Sequence, residues 1–425
     1  MVLKTQTGGT PAEKAPEPDL GQEIIAKERY TSREFMQLEW DRMWTKVWLM
    51  GGRLSDLPNV GDYLVEEIGS ESVILVRSAP NELRGFYNVC PHRGNRLRHP
   101  GPGHAESFQC AYHFFEFELS GAKKFIPDEA DFPQGCDAIQ LKEIAVDTWG
   151  GWVWFSLNPD PEPLHDFLGM IPEHLDPYHI DEQYLVRDWT VEWNCNWKTS
   201  VDAFNESYHV QAIHPQLLEM MDDINIQIDL YDRHSRYLVP FGVLSPRWEN
   251  QDEITDTLRE MMRGVGIDPD EFTGTVQDVR PAIIEATRKR SEAIGIDFSE
   301  MTDNQLIDDF HYYIFPHVTF NTHANGVMVF RQRPHATDPD KMYFDLQNYT
   351  RLPEGADVPD RKEHEHFKHG EKSLGLVLDQ DAYNLPRVQT GMHSAGYVGL
   401  HISKQERRLR HMHQTLDSYL ADPDR

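Results

Sequence analysis

Two of the four cysteines in this chain of 425 residues are each followed closely by a histidine, in the stretch NVCPHRGNRLRHPGPGHAESFQCAYHFFEFELSG, residues 88–121. Cys90 and His92 make a C-x-H; Cys110 and His113 make a C-x-x-H after a gap of 17 residues. A nucleic-acid zinc finger places both cysteines first and both histidines last, whereas each half here offers one thiolate and one imidazole. Two such loops facing each other can put both thiolates on one iron and both imidazoles on the other. Neutral nitrogen donors then replace two anionic thiolates of a [2Fe-2S] centre and raise its potential, to roughly −150 to +300 mV. The bland alternative is a pair of unrelated buried cysteines, each a small hydrophobe.

A second constellation lies in WNCNWKTSVDAFNESYHVQAIHPQLLEMM, residues 193–221. His209 and His214 are five apart, which on a regular α-helix points them away from each other. A π-type turn would bring them into register, and Pro215 disfavours helical geometry at His214, so the helix is expected to break there and swing that imidazole inward. With a carboxylate from elsewhere, two histidines make the facial triad of oxygen-activating Fe(II) sites, which leaves other iron positions open.

The elements that must position these groups fall into three textures. Residues 22–50, with TSREFMQLEWDRMWTKVWLM, have apolar positions at helical spacing after a Thr-Ser start, and predict a leading helix packed on the catalytic domain. Before it, 1–21 reads as a disordered polar tail. From 51 to 160 short alternating strands (YLVEEI, SVILVRS, FEFELSG, GWVWFSL) separated by Gly, Pro and Asn predict an all-β domain. NPDPEPLHDFLGMIPEHLDP, with five prolines, reads as a linker. Residues 161–425 mix helix patterns near 197–213, 251–264, 280–294 and 400–420 with strand-like runs, which predicts an α+β domain. The helical insert 253–301 is expected to act as a lid over a large apolar pocket.

On the two cysteine-histidine pairs, the chain resembles the Rieske non-heme iron oxygenases, specifically their alpha, or terminal oxygenase, subunit, from about residue 35 to 415. One departure is visible: where the family continues its second loop Y-H-G-W, this sequence has Phe114 and Phe115 after His113. The match extends to NWK, the acid before YH and the closing HP of the 193–221 stretch. It implies a Rieske [2Fe-2S] domain followed by a helix-grip (START-like) catalytic domain with mononuclear Fe(II). The third iron ligand is expected in LVLDQDAYNLPRVQTG, where Asp381 stands eight residues before Gln389 as in the family, with Asp379 as the rival. Glu206, three before His209, takes the place of an acid that links the cluster of one subunit to the iron of the next in a head-to-tail homotrimer. A beta subunit is left open. Asp202 and Asn205 on the same helix are expected to line the iron pocket, and Phe320 and His323 to face the iron or belong to the core.

The implied activity is that of a terminal oxygenase which takes O2, and electrons from a separate ferredoxin or flavin reductase, to mono- or cis-dihydroxylate an apolar aromatic or polycyclic substrate. No G-x-G-x-x-G follows a strand, so the nicotinamide chemistry belongs to that separate partner. The alternative is a monooxygenase that demethylates or hydroxylates a quaternary amine, aryl ether or steroid; the iron ligands argue against a pure electron carrier. No lone Arg or Lys in the substrate region announces a carboxylate, which favours the aromatic reading. A net charge of −29 argues against nucleic acid. No run of 18 apolar residues and no secretory leader are present, and four cysteines give no disulfide framework, so a cytoplasmic enzyme is expected. Against the acidic average, Arg93, Arg96, Arg98, Lys123 and Lys124 cluster around the first two loops and are expected to form a docking collar for an acidic electron donor. RKEHEHFKHGEK, residues 361–372, is expected to be a solvated loop and not a metal site.

Overall fold

The computed structural model describes residues 13–360 and 362–422. They form two compact units, one of residues 37–172 with 335–337, the other of 13–36, 173–334 and 338–421.

The first unit is a seven-stranded antiparallel sheet built from β1 (Leu49–Arg53), β2 (Asp62–Ile68), β3 (Glu71–Ala79), β4 (Glu82–Tyr87), β5 (Gly101–His104), β9 (Glu143–Trp149) and β10 (Trp152–Ser156), in the order β1-β10-β9-β4-β3-β2-β5. A smaller three-stranded sheet holds β6 (Phe108–Gln109), β7 (Glu116–Phe117) and β8 (Lys123–Phe125). The run WVWFS of β10 is buried throughout, as a strand covered on both faces must be. Val65, Ile74, Val76, Phe86, Phe108 and Phe117 fill the core, and Cys90 and Cys110 lie in the same cluster.

The second unit is organised by an eight-stranded sheet of β11 (Tyr184–Trp193), β12 (Gln227–Leu230), β13 (Ser235–Val239), β14 (Asp309–Ile314), β15 (Val318–His323), β16 (Gly326–Pro334), β17 (Met342–Thr350) and β18 (Glu365–Lys368), in the order β12-β13-β14-β15-β16-β17-β11-β18. All neighbours are antiparallel except β11 and β18. Helices α1 (Trp197–Phe204), α2 (Val210–Ile213), α3 (Asp256–Gly264), α4 (Val276–Ile294), α5 (Leu376–Met392) and α6 (Arg407–Ala421) complete the unit, with α1 against β16 and α5, and α6 against β12. The α+β class is as expected.

Several boundaries differ from the sequence reading. Residues 1–12 of the expected tail lie outside the described residues, and from Glu13 onward the segment is bound to the sheet: the Ala15 N–H donates to Asp229 Oδ1 at 2.8 Å and Leu20 packs with Ile228 and Leu230. The leading helix is two short helices, Glu28–Thr31 and Arg33–Glu39, followed by a π-turn at Trp40–Trp44. Ser32 separates the two because it is extended and its Oγ accepts the Phe35 N–H at 3.1 Å, starting a new helix. The proline-rich segment carries one-turn helices at Leu164–Leu168 and Ile171–Leu175 with buried Leu164, Phe167 and Ile171, so it is packed structure and not a free linker. The histidine-rich segment supplies β18, an exposed edge strand parallel to β11, where the sequence suggested a loop.

Candidate metal centres and substrate cavity

The two cysteine loops of the first unit repeat one backbone design. In the first, the Cys90 N–H donates to Asn95 O at 2.8 Å and the Gly94 N–H to Cys90 O at 3.0 Å; in the second, Cys110 N–H donates to Phe115 O at 2.8 Å and Phe114 N–H to Cys110 O at 2.9 Å. Each loop needs a left-handed residue at its fourth following position, and Gly94 and Phe114 take it with φ of 75° and 59°. Glycine does this freely, whereas a side chain costs about 1–2 kcal/mol there. Phe114 is exposed. Phe115 is buried and lies flat on the His92 ring, with centroids 4.5 Å apart and planes within 5°. The two replacements thus act differently: one strains the loop tip and the other packs His92.

The four side chains fit a [2Fe-2S] cluster. Cys90 and Cys110 are buried and free of disulfides, and the rings of His92 and His113 are 4.6 Å apart. His92 Nδ1 is buried without a hydrogen-bond partner among the described residues, as a nitrogen reserved for a metal would be. Burial raises the Cys90 thiol pKa; it opposes the Cys110 thiolate too, but the N–H groups of Tyr112 and His113 outweigh it and bring that pKa down.

The expected basic collar is largely paired. Arg96 meets Glu67, Lys123 meets Glu129, and Lys124 lies 2.8 Å from Glu116. Arg98 points inward, donating to Leu97 O at 2.8 Å, Gln109 O at 3.3 Å and Ser107 O at 2.7 Å, and so ties the first loop to the strand that leads into the second. It is a clamp. Arg93 lies over the Tyr112 ring at 5.2 Å.

In the second unit, α1 ends at Phe204 and α2 is a single α-turn bracketed by His209 and His214. The expected π-turn and the continuous helix 197–213 are therefore replaced by a break and a short turn. Pro215 acts as anticipated: His214 leaves helical geometry, with φ −121° and ψ 52°. The turn brings His209, His214 and Asp381 together, with one ligand atom from each within 4.8 Å of the others. Asp381 Oδ1 is 2.9 Å from His214 Nε2 and 3.7 Å from His209 Nε2. Asp379 instead caps the start of α5, accepting from Leu374 N at 2.8 Å and Ser373 Oγ. Gln389, eight residues after Asp381, locks α5 to the start of α1 by accepting from Asn196 N at 3.0 Å and Thr199 Oγ1 at 2.9 Å.

Both imidazoles are held from behind. Glu206 Oε1 is 2.5 Å from His209 Nδ1, and Gln380 Oε1 is 2.8 Å from His214 Nδ1. Each acceptor fixes the tautomer with hydrogen on Nδ1 and leaves the Nε2 lone pair facing Asp381. Two neutral nitrogens and one buried carboxylate are a donor set suited to Fe(II). Burial alone would lower the His209 pKa, and the Glu206 carboxylate more than reverses it.

A cavity of about 450 Å³ opens beside the triad, walled by α1, α2, the sheet and the start of α5. Strand alternation sorts the expected wall residues: His323 and Asn321 face the cavity, while Phe320, just before Asn321, is buried on the other face and belongs to the core. Asp202 and Asn205 do not line the cavity. Asp202 accepts from Tyr30 Oη at 2.5 Å, and burial raises its pKa to about 7; Asn205 is buried, and among the described residues neither of its side-chain polar atoms has a partner. The insert 253–301 does not line it either, because α3 and α4 turn their apolar faces on one another around Leu258, Met262, Val279 and Ile283. Residues 374–378 close that side instead. Sequence alone missed Arg187 and Asp309, both in the wall; for Asp309, a charge at a strand position facing the interior was the available signal.

Comparison with known proteins agrees with both centres. Residues 47–142 match the Rieske [2Fe-2S] domain, and residues 180–422 match the family described as ring hydroxylating alpha subunit (catalytic domain). The chain is similar to the glycine betaine monooxygenase oxygenase subunit of Pseudomonas aeruginosa (30% identity over 198 residues, 46% of each chain) and to the carnitine monooxygenase oxygenase subunit of Escherichia coli strain K12 (30% over 225 residues, 51% of this chain and 58% of that one). The match thus spans about half the length of these curated relatives. Among solved structures, a quaternary ammonium Rieske monooxygenase in complex with L-carnitine superposes with a TM-score of 0.67 at 19% identity over 96% of this chain and 99% of that one. Naphthalene 1,2-dioxygenase with indole bound gives 0.65 at 18% over 96% and 94%.

Proposed function

The chain belongs to the ring-hydroxylating alpha subunit family, and from that premise we propose that it is the terminal oxygenase of a monooxygenase system acting on a quaternary ammonium compound. It carries a Rieske [2Fe-2S] cluster and a mononuclear iron. The expectation of an aromatic hydrocarbon as substrate gives way to the alternative, because the relatives just described include glycine betaine and carnitine monooxygenase subunits. The observation that carries this reading is the aromatic wall of the cavity, formed by Phe204, Tyr237, Phe241 and Phe330. Ring faces attract a quaternary ammonium, which has no N–H to donate, by cation–π interaction.

We assign the cluster to Cys90, His92, Cys110 and His113, and the iron to His209, His214 and Asp381. Iron held there supplies O2 activation and the one-electron redox steps of C–H hydroxylation. The protein's part is positional. Glu206 and Gln380 keep Nδ1–H on both histidines, so that in the neutral rings the lone pairs lie on the nitrogens facing Asp381. Phe204 and Phe330, with ring centroids 4.8 Å apart and planes tilted by 50°, exclude water from the side where the substrate methyl groups would lie. Electrons come from a separate ferredoxin or reductase, and a homotrimer in which Glu206 meets the neighbouring copy's cluster domain is part of the proposal. Among the described residues no helix is long and apolar enough to cross a membrane, and the four cysteines are free, which supports a reducing cytoplasm.

The test is O2 uptake with a surrogate reductase across a panel of quaternary ammonium compounds, aryl ethers and bicyclic arenes, with products read by mass spectrometry. Substrate-dependent uptake confined to the arenes would refute the reading. His209→Ala should keep the cluster absorbance and lose turnover, whereas Cys90→Ala should bleach it.

A further inference from the structure

We propose that the cavity of the second unit binds a zwitterion lengthwise, its ammonium against Asp309 and its carboxylate against Arg187, with the two charges several carbon atoms apart. The inference rests on the quaternary ammonium reading and goes beyond it to the length and the second charge of the substrate.

Asp309 lines the cavity at the start of β14. Its Oδ1 is buried and has no hydrogen-bond partner among the described residues. The groups that could have neutralised it are committed elsewhere. Arg280 pairs with the adjacent Asp308, its Nη2 lying 3.0 Å from Oδ2. Arg408 donates to Ser235 Oγ at 3.0 Å, has His311 Nδ1 at 3.1 Å, and lies over the Tyr237 ring at 4.5 Å. A buried carboxylate oxygen without a donor is costly, and accordingly burial raises the Asp309 pKa to about 7, against the pull of Arg408. A ligand cation would restore the missing partner, and the ring of Tyr237, two residues before the Val239 that pairs with Asp309, stands in the same wall.

Arg187 marks the other end. The ladder between β11 and β17 shifts register between Leu185 and Arg187, leaving Val186 outside it and setting Arg187 opposite Asn348. Such a bulge re-aims a side chain. Arg187 thereby joins a row that crosses the sheet through Asn348, Met328, Asn321 and His311 to Tyr237. Of these, Arg187, Met328, Asn321 and Tyr237 line the cavity. The guanidinium lies over the Trp189 ring at 4.3 Å, a contact that orients it and leaves its N–H fork for a carboxylate. Sequence reading saw no basic residue calling for an anion; the fold puts one there.

The sheet also sets the scale. From β14 to β11 there are four strand steps, about 19 Å of backbone at the usual spacing, and Asp309 is offset by two residues from His311 in the Arg187 row. Two inward-reaching side chains shorten that gap without closing it. A carboxylate one carbon from the nitrogen, as in glycine betaine, can reach only one of the two groups.

The experiment is calorimetric titration of the metal-loaded protein with four probes: tetramethylammonium, glycine betaine, γ-butyrobetaine and 6-(trimethylammonio)hexanoate. Affinity should rise along the three zwitterions. Asp309→Asn, a neutral isostere, should weaken all four at least tenfold. Arg187→Gln should weaken the hexanoate at least tenfold and leave tetramethylammonium unchanged, with cluster absorbance and melting temperature showing that both variants fold. Wild-type affinity of D309N for tetramethylammonium, or of R187Q for the hexanoate, overturns the proposal. If ammonium compounds bind and are oxidised while the variants behave as wild type, only this inference falls; if no ammonium compound binds, the quaternary ammonium reading falls with it.

Discussion

Glu206 has two carboxylate oxygens and uses both. Oε1 takes the His209 ring at 2.5 Å, while Oε2 accepts the backbone N–H of His209 at 3.1 Å and that of Tyr208. Glu206→Gln keeps the shape and removes one acceptor, so its NH2 group must face either the ring N–H or the two backbone N–H groups, donor against donor. A buried donor left unmet costs about 1–3 kcal/mol. Loss of an outer carboxylate behind a metal-bound histidine typically weakens metal affinity about 10–100-fold, or roughly 1.4–2.7 kcal/mol. Both routes give the same size of effect, and we expect Glu206→Gln to weaken metal binding in that range. The assay is Co(II) or Fe(II) titration against a competing chelator in cluster-loaded protein, with the cluster absorbance as internal control. A capping role alone would lower the melting temperature and leave metal affinity alone. A dissociation constant within twofold of wild type would falsify the positioning role.

Arg280→Met should destabilise the protein by about 3–5 kcal/mol in urea, because it strands a buried Asp308 whose two oxygens Arg280 now holds. Asp345 is buried, which opposes its charge, but Arg333 and Arg331 hold its pKa well below the ordinary carboxylate range. A folded pKa below the unfolded value of about 3.9 contributes stability above that pH and loses it as pH falls, so wild type should weaken between about pH 5 and 3 more steeply than Asp345→Asn, as read by urea midpoints. Arg96→Glu should slow cluster reduction by the natural donor severalfold at low salt, an effect absent at 1 M salt or with dithionite, whereas Arg98→Ala should loosen the cluster itself, seen as faster bleaching.

What the sequence made legible was short-range. The four residues assigned to the cluster and the two histidines assigned to the iron stand out by their spacing within short stretches, and the strand runs of both sheets show in their alternation. Pro215 announced the break at His214 because its effect acts on the residue before it. The misses are long-range. Whether Asp379 or Asp381 faces the histidines depends on which side of α5 meets α2, and Asp379 was already engaged at its own helix start. Asp202 was read as a pocket residue, yet Tyr30, 172 positions away, takes its carboxylate. Arg187 was invisible because only the partner strand reveals the bulge that turns it inward. The insert suggested a lid, but the apolar faces of α3 and α4 satisfy each other.

The unequal tips of the two cysteine loops imply an order of events. The loop of Cys90 and His92 turns on Gly94 and can hold its shape without a cluster, while the loop of Cys110 and His113 must keep Phe114 left-handed, a conformation that relaxes readily once nothing pins it. Assembly should therefore be sequential, with the first loop acting as a template that captures the nascent cluster and the second closing over it. Release should run in reverse, so that oxidative damage or chelation begins on the side of His113 and passes through a species still anchored by Cys90.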